Sequence, residues 1–168
     1  MDLTVIANLA QAVAVVFAVI FGFVQVRQMK AQRRRESMFS LVQSLQTTEM
    51  LQALLVLDDI PEGLSESKLK RRLGAKFIDI QLLLGTWESL GILVYYDEVS
   101  LAIVDEFYSG SIVHSWRKLQ QVVEDIRKRT ARDTRWEWFQ WLSERMLDRE
   151  AGSPPIPAFL AHKNWKTP

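Results

Sequence analysis

Between Leu3 and Val26 the chain carries no Asp, Glu, Lys or Arg and is built mostly from Leu, Val, Ile, Ala and Phe; Arg27, Lys30, Arg33, Arg34 and Arg35 follow at once. Such a run leaves the backbone few options. Its 24 residues would rise about 36 Å as an α-helix, against a hydrocarbon core of about 30 Å. In lipid, a lone segment can satisfy its own N–H and C=O groups only as a helix. The expectation is a transmembrane helix rather than the core helix of a soluble domain. A cleavable signal peptide would place its positive charge before a shorter apolar run, whereas here the basic residues come after it.

The charge distribution orients the span. Five cations against Asp2 leave residues 1–35 at +4; the whole chain is +1, so residues 36–168 carry −3. Excess Lys and Arg stays on the cytoplasmic side. The reading is an uncleaved single-pass anchor in the inner (plasma) membrane, amino terminus outside and the remainder cytoplasmic. Arg27, Lys30, Arg33, Arg34 and Arg35 then meet lipid headgroups, each worth about 1 kcal/mol near an anionic surface. Contact with nucleic acid is not expected, because the rest of the chain is mildly acidic.

Ala10, Ala14, Ala18 and Gly22 recur every four residues and so share one helical face. Small side chains in line let membrane helices approach closely. This stripe points to self-association, or to packing on another protein's membrane helix.

Three parts are expected: a transmembrane anchor over 1–30, a cytoplasmic helical domain over 31–150, and a Pro-containing tail over 151–168. No sustained period-two alternation occurs, so the fold class is all-α, one amino-terminal transmembrane helix followed by a small helical bundle. The first cytoplasmic helix runs to about Leu57 and ends in Asp58-Asp59-Ile60-Pro61-Glu62-Gly63. Ser65 starts the next, with Leu69, Leu73, Phe77, Ile80, Leu84 and Trp87 on one face, and Gly91 ends it. Asp97 is a plausible cap for a short helix that Ser109-Gly110-Ser111 breaks. A helix through Ile112 to Ile126 follows, and Thr134 with Glu137 reads as a capping box for the last one, stopped at Gly152.

Chemistry-bearing patterns are sparse. The two histidines, His114 and His162, have no Glu-x-x-His or His-Glu-x-x-His spacing around them, and His114 reads as a surface or boundary residue. Asp105-Glu106 and Glu124-Asp125 are adjacent pairs, which diverge on a helix. Phosphate-binding glycine patterns are missing and there is no cysteine. The expectation is therefore a non-enzyme with no metal and no cofactor. The six tryptophans stand out, with Trp136, Trp138 and Trp141 inside six positions and Trp165 in the tail. Together they form a candidate patch for a protein partner, since exposed Trp beside Arg has the composition of an interface hot spot.

The stretch Trp87-Glu88-Ser89-Leu90-Gly91-Ile92-Leu93-Val94, then Trp116 and Arg127, then Trp138-Phe139 resembles an uncharacterised bacterial family. That family consists of small domains of unknown function, commonly carried behind one amino-terminal membrane helix. The likeness spans roughly residues 75–146 and supplies no catalytic residues. It implies structural roles for Trp116, as a buried ring, and for Arg127, as a clamp on carbonyls or on a carboxylate such as Glu88. The functional expectation is an interaction or regulatory module that self-associates, with membrane lipid and a second copy or another membrane protein as partners. Its rival is a membrane-disrupting effector that assembles a pore, with Asn8 and Gln11 lining or sealing it.

Overall fold

A computed structural model describes residues 3–166. Within the first helix, some side chains lie outside those described, among them Asn8, Ala10, Lys30 and Arg33 to Arg35. Every element among the described residues is helical. The chain divides into two compact units, one ending at Ser44 and the other starting at Leu45.

The first unit is the helix α1, Leu3–Leu45. Its 43 residues carry the backbone unbroken from the apolar run through the basic cluster. It stops short of the expected Leu57. Thr47 takes an extended conformation and its hydroxyl accepts the Met50 N–H at 3.1 Å, so a new helix α2, Thr48–Asp58, starts there. A threonine hydroxyl that can cap competes with continuing the helix.

The second unit is a bundle of α2, α3 (Glu66–Leu73), α4 (Phe77–Tyr95), α5 (Leu101–Thr130) and α6 (Glu137–Gly152), followed by one turn of helix, α7 (Ala158–Ala161). α4 lies between α2 and α6, with α5 packed against α6 and α3. Its inner face buries Ile80, Leu83, Leu84 and Trp87 completely; each such side chain stabilises the fold by about 2–3 kcal/mol. The Trp87 indole also donates to Ser115 Oγ at 3.1 Å, and that hydroxyl donates to the Ser111 carbonyl at 2.7 Å, so the buried polar pair is satisfied. Trp116 meets Phe139 edge to face at 5.3 Å, which seats α5 on α6. Lys118 donates to the Leu57 and Asp58 carbonyls at 3.2 and 2.6 Å, closing the carboxyl end of α2.

Four further expected boundaries in the bundle differ. The stretch from Ser65 is not one helix: Gly74, at φ 54°, opens a 3-10 turn over Gly74–Lys76 that separates α3 from α4. Gly91 does not end α4, which continues to Tyr95, because the missing side chain serves a helix crossing instead. Asp97 caps nothing; it sits at φ 58° in the turn, and Ser100 precedes the helix. Ser109-Gly110-Ser111 does not break α5, whose buried residues continue on both sides from Val104 to Ile126. One glycine costs a helix only about 1 kcal/mol, less than that burial returns.

Among the described residues one helical stretch is long and apolar enough to cross a bilayer, Glu66–Tyr95, with a mean hydropathy of 1.4. It contains the central helix of the bundle, which buries Leu83, Leu84 and Trp87 fully. The shorter apolar stretch Ala14–Met29 in α1 is of another kind. There Val15, Val16, Phe17, Val19, Ile20, Phe21, Phe23, Val24, Val26 and Met29 are all exposed, covering every side of the helix.

Candidate functional site

The start of α6 is where the bundle invests its most specific contacts. Three residues hold it. Glu88 of α4 accepts the Phe139 N–H at 2.8 Å, serving as an amino-terminal cap delivered from another helix. Arg127 of α5 reaches the same segment from the other side. Its guanidinium donates to the Arg135 carbonyl at 2.8 Å, the Trp136 carbonyl at 3.3 Å and Gln140 Oε1 at 2.7 Å. Gly91 lets the backbones touch: a Cβ there would fall on the Trp138 carbonyl, 2.8 Å from its carbon. The expected Thr134–Glu137 capping box is absent; Trp136 occupies the cap position at φ 59° without a side-chain cap bond. The external carboxylate of Glu88 has taken over that role.

Burial raises the Glu88 pKa above the ordinary 4.5, and the Phe139 and Trp138 N–H groups partly offset this. Elsewhere in the bundle Glu66 is held the opposite way. Arg129 forks onto it through Nε and Nη2, each at 2.9 Å, and Lys70 approaches to 2.6 Å, so its pKa is lowered despite burial. The Glu66 N–H donates to Asp125 at 2.9 Å, which caps α3 where the Ser65 side chain makes no cap bond.

Fixing α6 against α4 brings a set of rings to the surface. Tyr95 lies one turn beyond Gly91 and meets Trp138 at 4.7 Å and Trp141 at 6.0 Å; the two indoles are 6.1 Å apart, and Tyr96 adds an edge contact to Tyr95 at 5.2 Å. Tyr95 and Tyr96 are more than half exposed, Trp138 and Trp141 are half-buried, and Ile92 and Leu93 lie uncovered on the same helix. Asp97, Glu98 and Glu137, all exposed, flank these rings in sequence. Partly exposed aromatics with polar groups around them have the composition common at the centre of protein interfaces.

The structure thus brings together two of the four expected patch residues, Trp138 and Trp141. Trp136 faces different company, with the Arg135 guanidinium 4.7 Å over its ring and no ring contact to the other indoles. Trp165 is 67% exposed in the tail, with no ring contact among the described residues. Tyr95 was missed because Gly91 was read as a stop; Trp87, Gly91 and Tyr95 at intervals of four already mark one face. His114 is a boundary residue, its Nε2 3.0 Å from Asp58 Oδ1. Trp116 is buried, and Arg127 clamps carbonyls rather than Glu88.

In α1, Ala14, Ala18 and Gly22 lie on one uncovered face, and a Cβ at Gly22 would meet nothing. Arg27 is exposed. The side chains of Ala10, Lys30, Arg33, Arg34 and Arg35 lie outside those described.

Residues 6–146 match the domain of unknown function DUF4760, and the chain belongs to that family. Comparison with curated proteins and with solved structures finds no match.

Proposed function

We propose that this chain is a single-pass inner-membrane protein, amino terminus outside, whose bundle acts in the cytoplasm as an interaction or regulatory module. One observation carries the reading: between Val15 and Met29 the large apolar side chains of α1 are exposed on every side of the helix. A helix apolar all round needs either a protein core or lipid around it. Neither Asp, Glu, Lys nor Arg occurs before Arg27 once Asp2 is passed, and the following cations favour the cytoplasmic side. Self-association through Ala10, Ala14, Ala18 and Gly22 follows the same logic, because lipid offers little hydrophobic drive and close packing of small residues substitutes for it. The rings of Tyr95, Trp138 and Trp141 supply the surface through which the module meets its protein partner.

Native mass spectrometry of the full-length protein, extracted gently from its own membranes, tests this. A multiple of the chain mass that falls to one chain in an Ala14→Leu/Ala18→Leu variant supports assembly through the small-residue face. Added mass from another protein, lost in Trp138→Ala, supports the aromatic surface. A bare monomer overturns the self-association reading. The chain has no cysteine, so a single Ser153→Cys reports topology: labelling of intact cells by a membrane-impermeant maleimide would refute a cytoplasmic bundle.

A further inference from the structure

A cavity lies on the bundle, distinct from the ring cluster. It has a volume of about 320 Å³ and is lined by Glu66, Lys70, Phe77, Gln81, Ile126, Arg129, Thr130, Arg132, Arg135 and Trp136. Four of those side chains are cationic and one is a carboxylate. Glu66 engages Arg129 and Lys70, so two of the cations share its single charge. Arg132 and Arg135 are left over. Among the described residues neither guanidinium has an ion pair, and that of Arg135 meets only the Trp136 ring. A concave wall with surplus charge of one sign focuses its field on the space it encloses.

Trp136 belongs to the neutral part of the wall. The Trp136 indole N–H is shielded from solvent and has no acceptor. Leaving such a donor unpaired costs about 1–3 kcal/mol, and the residue is held at φ 59°, where bulky side chains are rarely found. Arg127 and Glu88 fix the backbone on either side of it. The geometry points to a binding site for a phosphate-bearing ligand, with Arg132 and Arg135 pairing with its oxygens beside the Trp136 ring. Planar guanidinium forks match phosphate oxygens better than a lysine does. The ligand's phosphate belongs either to a lipid headgroup or to a soluble phosphate ester; the recognition chemistry is the same.

The test uses full-length protein in neutral detergent, with inorganic phosphate as probe and chloride at matched ionic strength as reference. Thermal stability and tryptophan fluorescence read binding. Phosphate should stabilise saturably and more than chloride. Arg132→Ala/Arg135→Ala should weaken apparent affinity about tenfold or more. Both arginines are exposed and their side chains support no helix cap, so folding should persist, checked by far-UV circular dichroism. Arg117→Ala, equally charged and outside the cavity, should bind like wild type. Reconstitution in phosphatidic acid discs rather than phosphatidylcholine discs separates the sources. Loss of the phosphate effect there assigns the site to a headgroup, and its persistence assigns it to a soluble ester. Equal stabilisation by chloride, or undiminished phosphate binding in the double arginine variant, overturns the proposal.

Discussion

Replacing Gly91 and Gly85 by alanine, two glycines on the same helix, should change stability in opposite directions. Both lie inside α4, where alanine is favoured over glycine by about 1 kcal/mol. At Gly85 nothing lies within 4 Å of the added Cβ, so that gain should be realised in full. At Gly91 the Cβ falls on the Trp138 main chain, 2.8 Å from the carbonyl carbon and 3.0 Å from its Cβ. Main chain cannot swing aside as a side-chain tip can, so α4 and α6 must part. Overpacking of this kind costs about 1–3 kcal/mol. Parting also stretches the Glu88 bond to the Phe139 N–H, worth about 1 kcal/mol, and the Tyr95–Trp138 ring contact, worth about another. Setting the helical gain against these, Gly91→Ala should destabilise by about 2–4 kcal/mol and Gly85→Ala should stabilise by about 1. For a bundle of this size about 4 °C accompanies each kcal/mol. The assay is thermal unfolding of the full-length protein in mild detergent, followed by near-UV circular dichroism, which reports the packed indoles. A Gly91→Ala melting temperature at or above wild type would refute the close crossing and with it the placement of the ring cluster.

Other perturbations separate the polar anchors. Glu66 has a lowered folded pKa, so its stabilisation is present above pH about 4.5 and lost as pH falls through the lowered value; the melting-temperature gap between wild type and Glu66→Gln should close over that range, and a gap independent of pH would contradict the Arg129–Lys70 clamp. Glu88 is raised instead, so stability should decline as pH climbs from about 4.5 through the raised value. Glu88→Gln keeps an acceptor for the Phe139 N–H and should abolish that decline, matching or exceeding wild type at pH 7, whereas Glu88→Ala should lose about 1–3 kcal/mol at every pH. Arg127→Lys cannot serve two carbonyls and Gln140 at once, and chemical denaturation should show a loss of about 2 kcal/mol; an unchanged midpoint would count against the clamp. Gly110→Ala, with open space around it, should stabilise by about 1 kcal/mol if α5 is continuous, and destabilisation would indicate a break.

What the sequence displayed and what it hid follow from where the relevant physics is local. The uncharged run to Val26, the buried face Ile80–Leu84–Trp87 and the loop at Ile60-Pro61 are set by composition and spacing within a few turns, and each was legible. Two of the boundaries that differ were decided by partners distant in sequence. Gly91 is a stop signal in isolation and a contact point once α6, about fifty residues on, lies across it. Thr134 and Glu137 offer a local cap, but Glu88 and Arg127 supply a better one from two other helices. The candidate patch is divided for a similar reason. Trp136 and Trp138 are two residues apart, so a helix would turn them to different sides, and the left-handed turn at Trp136 separates them further. Composition counted the indoles but could not divide them. The split matters for mechanism, because it places Trp138 and Trp141 beside Tyr95 on a surface suited to protein, and Trp136 beside unpaired arginines in a cavity suited to an anion. Both hang from the same few bonds at the head of α6, so a ligand held in the cavity beside Trp136 would bear directly on the backbone that presents Trp138.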